Sequence, residues 1–187
     1  AQMATGRHDF VNGPSTYNYW PAYAQYGLCS SCHTAHHAIE TDAPLWNHTL
    51  STATYTMYND VRLVSKVAAE PGGVSKACLS CHDGTVAVSS RGGTTDPAGV
   101  FVTGGAAIGT DLSHTHPISM TYDPTVTYTT LHPIPLGDAK LFALNDGTTD
   151  QVECASCHDP HAAAASSGPM LRDDGGLPTI CMTCHNK

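Results

Sequence analysis

All eight cysteines of this 187-residue chain fall into one pattern, C-x-x-C-H, which occurs four times. The copies are Cys29-Ser30-Ser31-Cys32-His33, Cys78-Leu79-Ser80-Cys81-His82, Cys154-Ala155-Ser156-Cys157-His158 and Cys181-Met182-Thr183-Cys184-His185. Two thiols three positions apart lie on one side of a single helical turn. They can add to the two vinyl groups on one edge of a porphyrin, while the next residue, histidine, projects under the ring toward the iron. The intervening residues are small or slim and let the macrocycle edge approach the backbone. Disulfides or two four-thiolate zinc sites could also use eight cysteines. Neither needs a histidine directly after each pair. With 12 histidines in 187 residues, four such placements by chance have a probability of about 2 in 100,000 against the zinc reading. We therefore read four covalently bound haem c groups. Cys29, Cys32, Cys78, Cys81, Cys154, Cys157, Cys181 and Cys184 are the attachment residues, and His33, His82, His158 and His185 the proximal iron ligands.

The rest of the composition agrees with a cofactor-filled interior. Charged residues make up 13 % of the chain, against about 25 % in typical soluble proteins. Only three Phe and two Trp are present, and leucine-rich stripes are lacking. Four porphyrins would supply the missing apolar core, and thioether bonds would staple the chain to them. The formal charge of −8, with eight Lys plus Arg, excludes nucleic acid, whose phosphates need a dense basic surface. It also excludes a basic patch for anionic lipid. With so few cations, some haem propionates are expected to face water or a divalent metal. No apolar run is long enough for membrane insertion. The opening Ala1-Gln2-Met3 reads as a mature end left by signal peptidase. The expectation is a secreted protein, extracellular or at the outer cell surface, exported through the periplasm.

The motifs divide the chain unevenly and no linker separates independent units, so residues 1–187 read as a single tetrahaem domain. Helices are expected over 29–38 and over 154–165, beginning at the motifs. Alternation predicts strands over 51–58 and 125–131. The segment 83–153, rich in Gly and Pro, reads as turns and irregular chain draped over haem faces. The expected fold class is a multihaem cytochrome c: mostly irregular chain with short helices at the haem motifs and a few short strands, organised around four stacked haems.

Eight histidines remain for the sixth iron positions: His8, His36, His37, His48, His114, His116, His132 and His161. Methionine competes as a ligand and raises the potential, but the surplus of imidazole favours bis-histidine ligation throughout. His36 and His161 each follow a proximal histidine by three residues. Such a residue lies on the proximal side of its own haem, so it is badly placed to cap its own iron and better placed for another. His116 is confined to extended backbone by Pro117, with His114 as its rival. The predicted distal set is His8, His36, His116 and His161. His48 is the reserve candidate, and His37 and His132 are read as surface residues.

The stretches CSSCHTAH, PLWNHTLSTATY, KACLSCHDGTVAV, DLSHTHPIS, CASCHDPH and CMTCHNK together resemble the multihaem cytochromes of metal-reducing bacteria. The likeness is greatest to OmcE-type tetrahaem outer-surface cytochromes, which polymerise into filaments, and runs from about residue 8 to residue 187. The resemblance implies a continuous stack of bis-histidine haems, with one distal histidine donated across each subunit boundary. Carried over, His36 would ligate an iron of the adjacent subunit, while His8, His116 and His161 would act within the chain. It also implies a head-to-tail helical homopolymer that delivers electrons to other redox proteins or to extracellular metal oxides. A monomeric periplasmic electron shuttle is the competing reading. An enzyme, such as a multihaem nitrite or hydroxylamine reductase, would need an open iron position. The spare imidazoles, and the absence of a variant motif such as C-x-x-C-K, argue against that, so no catalytic residue is expected.

Overall fold

Regular structure in this chain is concentrated at the cysteine motifs. The computed structural model describes residues 6–11, 27–39, 41, 43–126, 130–144, 147–161, 170–172, 175 and 178–186. Helix α1 (Gly73–His82) ends on the second motif, α2 (Cys154–Cys157) is the third, and α3 (Thr179–Met182) opens the fourth. The first motif is entered by a single 3-10 turn, Leu28–Ser31. The histidine N–H bonds back to the carbonyl of the first cysteine in the first, third and fourth motifs: His33 to Cys29 at 2.8 Å, His158 to Cys154 at 3.1 Å and His185 to Cys181 at 3.0 Å. Each motif is thus one closed helical turn, as the spacing requires.

The helices stop sooner than the sequence predicts. The one expected over 29–38 covers only Leu28–Ser31. Beyond it, Thr34 N–H turns to Leu45 O at 2.9 Å, and His33 and Ile39 both form bridges to Trp46. Tertiary pairing with 44–46 takes the hydrogen bonds that a helix would use. The helix expected over 154–165 ends at Cys157, and His158 is extended and bridged to Leu171. Pro160 disfavours helical backbone at Asp159; residues 162–165 lie outside the described set. Segment 51–58 forms no strand, only a bridge from Thr56 to Asp111. Of 125–131, residues 127–129 are not described. Thr125 is held in a turn by the Asp123 carboxylate at 2.9 Å, and Leu131 makes one bridge to His185. The longest helix among the described residues, α1, is one that the sequence reading did not anticipate.

Two strands are present among the described residues, β1 (Met120–Thr121) and β2 (Gln151–Val152), antiparallel with Met120 opposite Val152. Bridges from Val67 to Met120 and from Phe142 to Gln151 widen the pair into a small sheet. The expectation of irregular chain with short helices and few strands agrees with this.

The apolar interior is divided rather than continuous. One cluster (Met120, Tyr122, Leu136, Ala139, Val152, Leu171, Ile180) packs against Cys157 and Cys184. A second (Ala43, Trp46, Ala77) packs against Cys32. A third (Tyr55, Leu79, Leu112) holds the inner face of α1. Glu153 joins two of the motif helices. It caps α2 through a reciprocal pair of bonds with Ser156, and its carboxylate accepts from Ser119 at 3.2 Å. Ser75 of α1 accepts from Cys154 N–H at 2.8 Å, so the second and third motifs are fixed to each other.

Candidate haem sites

The segment Pro44–Thr49 grips the first motif along its length. Asn47 N–H donates to Cys32 O at 2.8 Å, and its side-chain amide donates to Ser30 O at 2.9 Å. His33 Nδ1–H donates to Pro44 O at 2.7 Å. This leaves the His33 Nε2 lone pair as the one available for a metal. The same device recurs. His82 Nδ1 donates to Ala106 O at 2.8 Å, His116 Nδ1 to Pro117 O at 2.9 Å, and His8 Nδ1 to Pro160 O at 3.4 Å. His161 Nδ1 faces the Asp159 carboxylate at 3.5 Å. Three of these acceptors are proline carbonyls. The prolines within PLWNH, HTHP and CHDPH were the sequence signal for them.

Imidazoles distant in sequence are brought together in pairs. His33 stands opposite His161 with ring centroids 6.1 Å apart, His8 opposite His82 at 6.1 Å, and His116 opposite His185 at 6.4 Å. An iron held by two opposed imidazoles at the ~2 Å of a metal–imidazole bond would set their centres about 6 Å apart. The residues therefore fit a ring-bound iron between each pair. His158, the remaining motif histidine, is exposed. His36 is exposed too, its backbone held in a turn by the Thr34 hydroxyl, and among the described residues it faces no other imidazole. His37 and His114 are exposed, and His132 is half-buried with its N–H bonded to Cys184 O at 2.8 Å.

His48, the reserve ligand of the sequence reading, sits elsewhere. It is 1 % exposed; Nε2 donates to Ala87 O at 3.0 Å and Nδ1 meets the Ser80 hydroxyl at 3.2 Å. Both nitrogens are engaged, and burial pushes the imidazole pKa down. It lies beside the second motif, with Nε2 3.3 Å from Cys81 Sγ.

The thiols lie in chain order through space. Burial pushes the Cys81 thiol up, and the neighbouring Cys32 adds to it. The Cys78 thiol is raised by its hydrogen bond to Cys154, by burial, and by Cys154 and Cys32 nearby. Burial, then Cys184 and Cys181, push Cys157 to about 11. The first motif thus borders the second, the second the third, and the third the fourth. Among the described residues no three or more His, Cys, Asp or Glu converge on a metal position, so the thiols are not grouped as a four-thiolate zinc set would be.

Residues 147–187, which carry the third and fourth motifs, match the family of the doubled CXXCH motif. This motif pair marks a multihaem c-type cytochrome. Comparison with curated proteins gives no match. The closed turn seen in the matched segment recurs at Cys29–His33 and in α1, outside it. Covalently bound haem c and an electron-transfer role are what the cytochrome motifs support. No helix among the described residues is long and apolar enough to cross a membrane.

Proposed function

We propose that the chain is a tetrahaem, bis-histidine cytochrome that polymerises head to tail into a conductive filament outside the cell and passes electrons to other redox proteins or to metal oxides. The observation that carries the haem-ligation part is the set of three opposed imidazole pairs at 6.1–6.4 Å. When bound, each haem supplies a one-electron Fe(III)/Fe(II) couple, at low potential with two imidazoles. The chain's own residues do the rest. Cysteines anchor, and backbone carbonyls fix the tautomer of His8, His33, His82 and His116. Motifs that border one another in order provide a path with no long gap.

Polymerisation is supported by the 33–46 loop. His36 is exposed, and in the same loop region Leu45, with φ of +52°, is 58 % exposed. Its carbonyl receives Thr34 N–H, which ties the two together. An exposed ligand next to an exposed aliphatic group suits a heterologous contact, which repeats without closing.

Electron microscopy of the purified holoprotein tests this. Filaments are expected from the native chain and only short oligomers or monomers from His36→Ala, with haem content unchanged. Native monomers in which every ferric iron is low spin would show that one chain supplies all its own ligands, and the filament reading would fall.

A further inference from the structure

We propose that segment 89–96 is the propionate-binding wall of the first haem site and that Arg91 is its counter-ion. The inference rests on c-type haem at the first motif and not on polymerisation. A cavity of about 840 Å³ opens at that motif, within the roughly 300–1,000 Å³ usual for cofactor sites. Cys29 and His33 form one side of it; Ser89, Arg91, Thr94 and Asp96 line the other. Haem c is tethered by thioethers on one edge and carries its two propionates on the edge away from them. A haem fixed at Cys29 and Cys32 therefore directs its carboxylates toward the side that the motif does not supply.

Among the described residues Arg91 is the one Lys or Arg lining this cavity, in a chain that has eight in all. Its position is fixed relative to the motif. It forms a bridge with His48, and on either side Thr49 N–H donates to Ser90 O at 3.1 Å and Gly92 N–H to Asn47 O at 2.9 Å. Asn47 is the residue that grips Ser30 and Cys32. The backbone that carries Arg91 and the attachment turn are thus held in one frame. Asp96, the anion in the same wall, is turned into its own loop, accepting from the Ser89 hydroxyl at 2.7 Å and from Ala98 N–H at 3.2 Å. An arginine–carboxylate pair offsets propionate charge beside the iron, which favours the reduced state.

The test is a spectroelectrochemical redox titration of the holoprotein, with haem content checked first. Four couples in the native protein establish the cofactor reading independently. In Arg91→Gln one couple is expected to fall by about tenfold in its reduction equilibrium, about 59 mV for one electron. The same charge change in Arg62→Gln, at an exposed pair with Asp60, is expected to leave all four in place. The proposal is overturned if Arg91→Gln moves no couple, or moves all four alike. Should Arg91→Gln lose haem, Asp96→Asn decides with opposite sign: a single couple that rises supports the wall, and four unmoved couples overturn it.

Discussion

An imidazole becomes an iron ligand only if one nitrogen is free and aimed, and the partners of the ring nitrogens decide which one that is. Those with Nδ1 held by a backbone carbonyl keep Nε2 for a metal; in His48 both nitrogens are engaged, by Ser80 and Ala87. Two substitutions separate these roles. In His161→Met the ring opposite His33 is replaced by a thioether, which favours Fe(II). One couple is expected to rise by about 60 mV or more, about a tenfold change, in a potentiometric titration that leaves the others in place. His48→Leu removes buried hydrogen bonds without touching an iron. Denaturant melts should show a loss of about 2–3 kcal/mol, while the ferric spectrum stays low spin and the haem-to-protein ratio is unchanged. A high-spin signal in His48→Leu would return it to the ligand set.

At the scale of elements, the motif helices are short because their neighbours compete for their hydrogen bonds. The exception, α1, runs ten residues because both of its ends are tied. Its start depends on Gly73, which has φ of +53°, and a Cβ there would lie 2.7 Å from Leu144 Cδ2 and 3.1 Å from Glu153 Oε1. An L-residue in that left-handed conformation costs about 1–2 kcal/mol, and the crowding against the Glu153 cap adds to it. Gly73→Ala should therefore lower thermal stability by about 2 kcal/mol, read by calorimetry of the holoprotein. No change would mean that the start of α1 bears little of the fold. The sequence reading placed helices only over 29–38 and 154–165, and a glycine pair at 72–73 is a poor helix start without such tertiary ties.

For the whole molecule, three separate apolar clusters take the place of one core. Two of them pack against attachment cysteines and the third contains Leu79 of the second motif, so porphyrins would join them into a continuous interior. A chain of this size with so divided a core has little cooperative stability of its own. Expressed without haem attachment, it is expected to show no cooperative thermal transition by circular dichroism, whereas the holoprotein should melt sharply. A sharp, reversible transition in the haem-free chain would mean that the clusters suffice alone.

The sequence alone determined the attachment chemistry and the helical turn at each motif, because five adjacent residues contain the whole requirement. It also determined the scarcity of regular structure, through low aliphatic content and frequent Gly and Pro. The distal candidates His8, His116 and His161 were nameable from count and spacing. Which ring each one faces was settled only by the tertiary structure, because an opposed pair such as His33 and His161 depends on how intervening loops pack. The same holds for Pro44–Thr49. In sequence it offers a tryptophan and a spare histidine; in the fold its carbonyls and amides clamp the first motif. A hydrogen bond to a main-chain carbonyl leaves no mark on side-chain identity, so packing alone discloses it.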